Sequence, residues 1–375
     1  MVAGTCAPGF EAVRDAFAAN FADGREIGAA VAATVDGRPV VELWGGLADS
    51  RTGRAWEEDT PVLVYSTTKG PTAVCALLLW QRGDLDLDAP VVDVWPEFAA
   101  EGKGAVTTRH LLTHQGGLPV FDQPIGFSDC HDPDLVASRL AAQAPRWEPG
   151  TAHGYHPLTY GWLVGEVVRR VSGRTVGRLF AEEVAGPLDL DFWIGLPPER
   201  EAAVARLEVG RLDFGGGDAG DPAVAFATAL FDVTSLTFQA FANPPGQFDV
   251  ESFNAPELHQ AEWPAANGIG TARALARLYG ELACDRVLSA ATLDEAARPQ
   301  VSGPDRVLAI DTTFGLGLSL DVEPGTFGHE GAGGSVAFAD RSRGVGFAYV
   351  MNQLTASLGA DRRSRRLVEA LYSSL

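Results

Sequence analysis

The sequence predicts a mixed α/β fold of the α+β type: an antiparallel sheet built from both chain ends, helices flanking it, and a mainly helical section inserted between. Three observations predict it. Strand-like runs flank an Asp36-Gly37 turn near the N-terminus, further strand-like runs close the chain, and most of the section between them carries helical spacing.

Taken in order, the segment from Phe10 to Phe21 has helical spacing, and "GAAVAATVDGRPVVELWGGLA" follows as two strands around the turn. The apolar run "VLVY" then delivers Ser66 to a helix that continues through "PTAVCALLLWQRG" and stops near Gly83. Pro71 is tolerated near its start, because first-turn amides have no intrahelical partner. From Arg109 to about Gly186 the spacing is mostly helical, with Trp162, Leu163, Val167 and Val171 on one face. Residues 209–268 change character, becoming rich in Gly, Pro and Phe with weak periodicity. Phe226, Phe231, Phe238, Phe241, Phe248 and Phe253 are expected either to line an apolar pocket or to anchor a long loop. A helix at "TARALARLYGELA" precedes strands at "FGLGLSLDV", "GSVAFAD" and "GVGFAYVMN", the last two joined tightly through Arg341, Ser342 and Arg343, and "RRSRRLVEALYSSL" closes the chain as a helix. One catalytic unit with two subdomains is expected, an α/β part over 1–70 and 265–375 and a mainly helical part over 71–264.

Composition excludes several classes. A net charge of −20 over 375 residues argues against nucleic acid and anionic membrane surfaces, which demand a basic face. No apolar run reaches the length of a membrane span. The start "MVAGTCAPGFEAVRDAF" has neither a basic nor an apolar export region, and Cys6, Cys75, Cys130 and Cys284 follow no C-x-x-C pattern. Free thiols and a cytoplasmic location are the expectation. Nothing in the sequence specifies an oligomeric state.

Of the 29 basic residues two are lysine, Lys69 and Lys103, and 27 are arginine. Arginine keeps its proton in a protein, whereas a desolvated lysine can release its own and act as a base. Lys69 stands three residues after Ser66, an S-x-x-K spacing that puts amine and hydroxyl on one helix face. The helix N-terminus disfavours the ammonium form and favours a developing oxyanion. Other hydrolase arrangements fit poorly. Gly126-Phe127-Ser128-Asp129-Cys130 lacks the second glycine of a G-x-S-x-G elbow, and "HLLTH", with His110 and His114, has Leu111 where a zinc peptidase needs Glu. No metal and no cofactor is expected.

These residues resemble the serine β-lactamase and penicillin-recognising superfamily, and within it the class C β-lactamase-like esterases called family VIII carboxylesterases. The resemblance runs through "VYSTTKG", "TTRHLLTHQGGLP", "WEPGTAHGYHPLTYGWLVGEVV", "PAANGIGTARALARLYGEL" and "FGHEGAGGSVAFAD", in order along nearly the whole chain. It implies the β-lactamase/transpeptidase-like fold, a small-molecule ester substrate and an acyl-enzyme on Ser66. It implies that Tyr155, in Tyr155-His156-Pro157, relays the proton to the leaving alcohol, with a phenol pKa lowered by the neighbouring ammonium. Ser128-Asp129-Cys130 is a weaker rival for that place. The third motif corresponds to His329-Glu330-Gly331, where Gly331 lets the strand backbone approach a substrate closely, the Ala332 amide completes an oxyanion hole with that of Ser66, and His329 contacts substrate, supports Tyr155 or simply packs in its strand. Glu330 is expected to repel the carboxylate of a β-lactam, so ester hydrolysis should exceed β-lactam turnover. A β-lactamase, a D-amino peptidase, an acyltransferase or a non-catalytic binding protein of the same fold are the alternatives.

Overall fold

The computed structural model describes residues 2–210, 222–246, 249–355, 359 and 361–375. The main sheet has seven strands: β1 (Val2–Cys6), β2 (Gly28–Val35), β3 (Arg38–Asp49), β4 (Arg54–Ala55), β5 (Phe327–Glu330), β6 (Val336–Asp340) and β7 (Val345–Met351). Their spatial order is β1-β3-β2-β7-β6-β5, all antiparallel, with β4 added beside β3. N-terminal and C-terminal strands meet at the β2–β7 pair, from Val35 opposite Val345 to Ala29 opposite Met351.

Five longer helices matter for the site: α1 (Glu11–Ala22), α2 (Lys69–Arg82), α3 (Thr159–Ser172), α4 (Ala272–Ala283) and α5 (Arg362–Ser373). Helices α1 and α5 cover one face of the sheet, where Val31, Phe338, Phe347 and Tyr349 point. Helix α4 covers the other face, over Ala30, Ala32, Ala337 and Ala348. Strand alternation explains the asymmetry: large residues take one side of each central strand and small ones the other. The small side lets α4 sit close. A Cβ on Gly346 would lie 2.2 Å from the Gly280 amide and 2.3 Å from the Ala276 carbonyl, so a larger residue would lift α4 off the sheet. Helices α2 and α3 pack beyond α4 in the same apolar core.

Two expectations from the sequence are corrected. "FGLGLSLDV" is not a strand: Asp311–Phe314 pairs with Val301–Pro304, the chain then bends at Gly315 to Gly317, and Ser319 makes only single bridges to Phe314 and Gly328. The edge strand is Phe327–Glu330 instead, and β1 forms the opposite edge. The Phe-rich segment is largely helical where described, in the pieces Pro222–Phe231, Leu236–Ala242, Val250–Phe253 and Pro256–Gln260. Three of these helices complete too few turns for an apolar stripe to show, and Pro222–Phe231 is apolar nearly all round. Phe248 and residues 211–221 lie outside the described residues. Among the described residues, no single helix is long and apolar enough to cross a membrane.

Candidate active site

Ser66 opens a 3₁₀ turn, Ser66–Thr68, that runs directly into α2. The residue before it, Tyr65, has φ 46° and ψ −132°, a backbone conformation rare outside glycine and costing on the order of 1–3 kcal/mol. Its surroundings hold it there. The Val64 amide donates to the Gly268 carbonyl at 2.9 Å, Ser335 Oγ donates to the Val64 carbonyl at 2.8 Å, the Thr68 amide donates to the Tyr65 carbonyl at 3.0 Å, and the Tyr65 ring packs 4.9 Å from that of Phe253. The strained corner presents Ser66 at the mouth of α2, and no residue type in the sequence announced it.

Lys69, the first residue of α2, is fully buried. Its Nζ lies 2.8 Å from the Pro157 carbonyl, 3.0 Å from the Ala265 carbonyl and 3.0 Å from Ser66 Oγ. Burial holds its pKa well below that of an ordinary lysine. A neutral amine has two N–H donors and one lone pair. The two carbonyls use the donors, which turns the lone pair toward the Ser66 hydroxyl, the arrangement a general base requires.

Tyr155 is buried, its hydroxyl lies near enough to Ser66 to act on its titration, and the centroid of its ring lies 4.7 Å from Lys69 Nζ. The expected lowering of its pKa is not found. Burial raises it, Ser66 pulls the other way, and Asp305 and Glu330 add to the rise. Lys69 is not among the groups that shift the phenol. Tyr155 is therefore a neutral phenol that can donate its proton.

Neutral histidines surround it. His114, with φ 59°, places its ring 5.0 Å from Tyr155 and accepts the His156 amide at Nδ1, 3.1 Å away. His156 accepts the Leu118 amide at Nε2 and donates from Nδ1 to the Gly154 carbonyl. Burial holds His114 well below the usual histidine range and His156 down to about 3. His110 instead closes the N-terminus of its own short helix, its Nδ1 accepting the Thr107 amide. Each histidine of "HLLTH" is thus committed to a separate backbone amide.

Strand β5 brings the third motif in, and its residues divide between two faces. His329 lies opposite Ala337, on the α4 side, with its ring 6.0 Å from that of Tyr155. Its Nδ1 donates to the Glu330 carbonyl at 2.6 Å, and burial pushes its pKa down to about 3, so it is uncharged. Glu330 lies opposite Val336, on the α1/α5 side, and its carboxylate reaches toward Gly359 and lines a cleft with Val336, Phe338 and Val368. Glu330 therefore does not face the Ser66 side, because consecutive strand residues point to opposite faces. At Gly331 the close approach is to the protein's own groups: a Cβ there would lie 2.2 Å from both the Val64 carbonyl and Ser335 Oγ. Among the described residues the amides of Ser66 and Ala332 donate to no acceptor, as an oxyanion hole requires.

Sequence reasoning missed Asp305, buried beside Tyr155, and Phe314, whose ring stacks on Tyr155 at 6.2 Å. Of the phenylalanines, Phe226 and, partly buried, Phe241 join the cluster around Tyr155, whereas Phe231 is exposed. The rival Ser128-Asp129-Cys130 forms a turn with Ser128 and Asp129 exposed and Asp129 bonding the Gly126 amide.

The β-lactamase family profile matches residues 13–371. The chain is 38% identical over 371 residues to the esterase/β-lactamase LipL of Mycobacterium tuberculosis, covering 95% of this chain and 84% of that one. A crystal structure of a family VIII carboxylesterase superposes with a TM-score of 0.90 at 39% identity over the whole of both chains. A penicillin-binding protein homologue from Caulobacter crescentus does so at 0.89 and 40%, again over both whole chains. Profile, relative and fold agree with the Ser66–Lys69 geometry: the chain belongs to the β-lactamase family and is a serine hydrolase.

Proposed function

We propose that the protein is a carboxylesterase that cleaves small, uncharged esters of short acyl chains through an acyl-enzyme on Ser66. The observation that carries this reading is the buried Lys69 amine, whose two hydrogen bonds to carbonyls leave its lone pair to Ser66 Oγ at 3.0 Å. Lys69 takes the Ser66 proton as Oγ bonds to the ester carbonyl carbon. The carbonyl oxygen becomes an oxyanion held by the Ser66 and Ala332 amides. As the tetrahedral adduct collapses, the C–O bond to the alcohol breaks, Tyr155 gives that oxygen its proton, and Lys69 returns one to Tyr155. Water then attacks the acyl-enzyme with the roles reversed, releasing the acid and restoring Ser66.

Two features support an uncharged substrate. His329, at the third-motif position, is neutral, and the wall around Tyr155 is apolar, built from Val120, Phe226, Val307 and Phe314. A preference for esters over β-lactams rests on that missing positive charge and not on repulsion by Glu330. The test is hydrolysis of p-nitrophenyl butyrate by the purified protein beside Ser66→Ala, with mass spectrometry of the quenched enzyme. Turnover by the native protein, a butyryl adduct on the Ser66 peptide, and neither in the variant is the expected result. Absence of turnover in both proteins would remove the esterase reading, and turnover without an adduct would remove the acyl-enzyme.

A further inference from the structure

The Tyr155 loop is gripped from two sides. The amides of Gly154, Tyr155 and His156 donate in turn to the His114 carbonyl at 3.1 Å, the Asp305 carboxylate at 2.9 and 3.0 Å, and His114 Nδ1 at 3.1 Å. Asp305 is only 3% exposed. Besides the Tyr155 amide, its Oδ1 accepts the amides of Val307 and Leu308, each at 2.8 Å, and its Oδ2 accepts the Thr312 hydroxyl at 3.2 Å. Thr312 Oγ1 also meets His153 Nε2 at 2.9 Å, and the Arg306 amide donates to the His153 carbonyl at 3.1 Å.

Among the described residues no cation pairs with Asp305; its partners are amide dipoles and one hydroxyl. A buried carboxylate without a counter-ion is costly and persists only where its oxygens are well hydrogen-bonded. Three of the donors come from its own loop, residues 305–312. The fourth is the main chain of the residue whose phenol meets Ser66. That main chain matters because the Tyr155 side chain cannot compensate by turning: its ring is enclosed by His114 at 5.0 Å, Phe314 at 6.2 Å and His329 at 6.0 Å. Displacing the backbone displaces the hydroxyl, and a misplacement of about 1 Å can cost on the order of 100-fold in rate.

We propose that Asp305 is the positioning residue of Tyr155: its carboxylate fixes the Tyr155 amide so that the phenol stays beside Ser66, ready to protonate the leaving alcohol. This rests on Tyr155 being the proton donor of the reaction. The charge of Asp305 works in the same direction, adding to burial in raising the phenol's pKa, so the hydroxyl keeps its proton until the leaving group takes it.

The test compares kcat/KM for ethyl butyrate and p-nitrophenyl butyrate in the native protein, Asp305→Asn, Tyr155→Phe and the double variant. A nitrophenolate departs without a proton, whereas an ethoxide needs one. Asp305→Asn should lower kcat/KM about 100-fold for the ethyl ester and less than about 10-fold for the aryl ester. Added to Tyr155→Phe, it should cost no more than about threefold further, because both changes act through one phenol. If Tyr155→Phe shows the leaving-group bias but Asp305→Asn lowers both esters equally, or the two losses multiply, the positioning role of Asp305 is overturned. If Tyr155→Phe itself shows no bias, the assignment of Tyr155 as proton donor fails instead and takes the inference with it. Asn at 305 turns an NH₂ toward N–H donors and can unfold the loop. Thr312→Val, nearly isosteric, then serves in its place: a smaller loss, still biased toward the ethyl ester, supports the inference, and an unbiased one overturns it.

Discussion

Lys69 and Lys103 share more than their rarity. Both are fully buried, and each donates to two main-chain carbonyls, those of Pro157 and Ala265 for Lys69 and those of Ala100 and Gln143 for Lys103. They part at the third contact. Lys103 Nζ faces the Phe98 ring, 5.3 Å from its centroid, whereas Lys69 Nζ faces Ser66 Oγ. Burial lowers the pKa of both, but Glu101 and Asp122 oppose it at Lys103 and favour the ammonium there, and among the described residues no carboxylate does so at Lys69. A scarce, buried lysine is therefore not a base by virtue of either property. What makes one is an acceptor set that leaves its lone pair on a nucleophile, with no counter-charge to keep the proton on.

The sharpest way to break this contrast is Lys69→Arg. It puts a guanidinium that cannot lose its proton where the working amine stands, so kcat/KM for p-nitrophenyl butyrate should fall by about 10³-fold or more. Retained turnover would disprove Lys69 as base. The pH profile gives the same contrast a sign. The neutral amine is the working form, so activity rises with pH as Lys69 deprotonates. Because burial lowers its pKa from the reference 10.5, the plateau should be reached well below that value. An acid limb centred near 10.5 would place an ordinary, charged lysine beside Ser66.

Lys103→Met tests the other half. The substitution keeps the apolar stem and leaves the Ala100 and Gln143 carbonyls without their donor, costing about 1–3 kcal/mol in unfolding free energy. Chemical denaturation should register that loss, while kcat/KM of the folded protein stays within about twofold of the native value. A folded variant with impaired catalysis would mean that Lys103 reaches the site, and the distinction between the two lysines would dissolve.

How much of this was legible beforehand differs by residue. The i, i+3 spacing of Ser66 and Lys69 on a helix start is local, and it held. The sheet was legible from apolar, strand-length runs at both ends, set around the Asp36-Gly37 turn and the Arg341–Arg343 connection, because strands buried on both faces read as near-continuous apolar runs. Tyr155 came from the resemblance alone, since its loop has no period and its partners Asp305 and Phe314 are some 150 residues away, joined to it only by the fold. Asp305 follows Gly303 and Pro304 and reads as an ordinary turn residue. The strain at Tyr65 left no trace, because tyrosine is not a residue that favours positive φ. Glu330 is different: its facing could have been deduced. His329 and Glu330 are consecutive in a strand, and only one of them can point at the site.

That last point carries the smallest expected effect. Were Glu330 on the substrate side, Glu330→Gln would remove a repulsion against any carboxylate-bearing substrate and shift the ratio of ester to cephalosporin hydrolysis by an order of magnitude or more. With its carboxylate on the α1/α5 face, its influence crosses the strand, is partly screened by solvent, and ranks last among the groups acting on Tyr155. The ratio of kcat/KM for p-nitrophenyl butyrate to that for a chromogenic cephalosporin should therefore change by less than about twofold in Glu330→Gln. A tenfold change would return the carboxylate to the substrate side and with it the original reason for expecting esters to be preferred. A flat response leaves the neutral His329, alone at the motif position that faces Tyr155, as the group that sets the charge of what can bind.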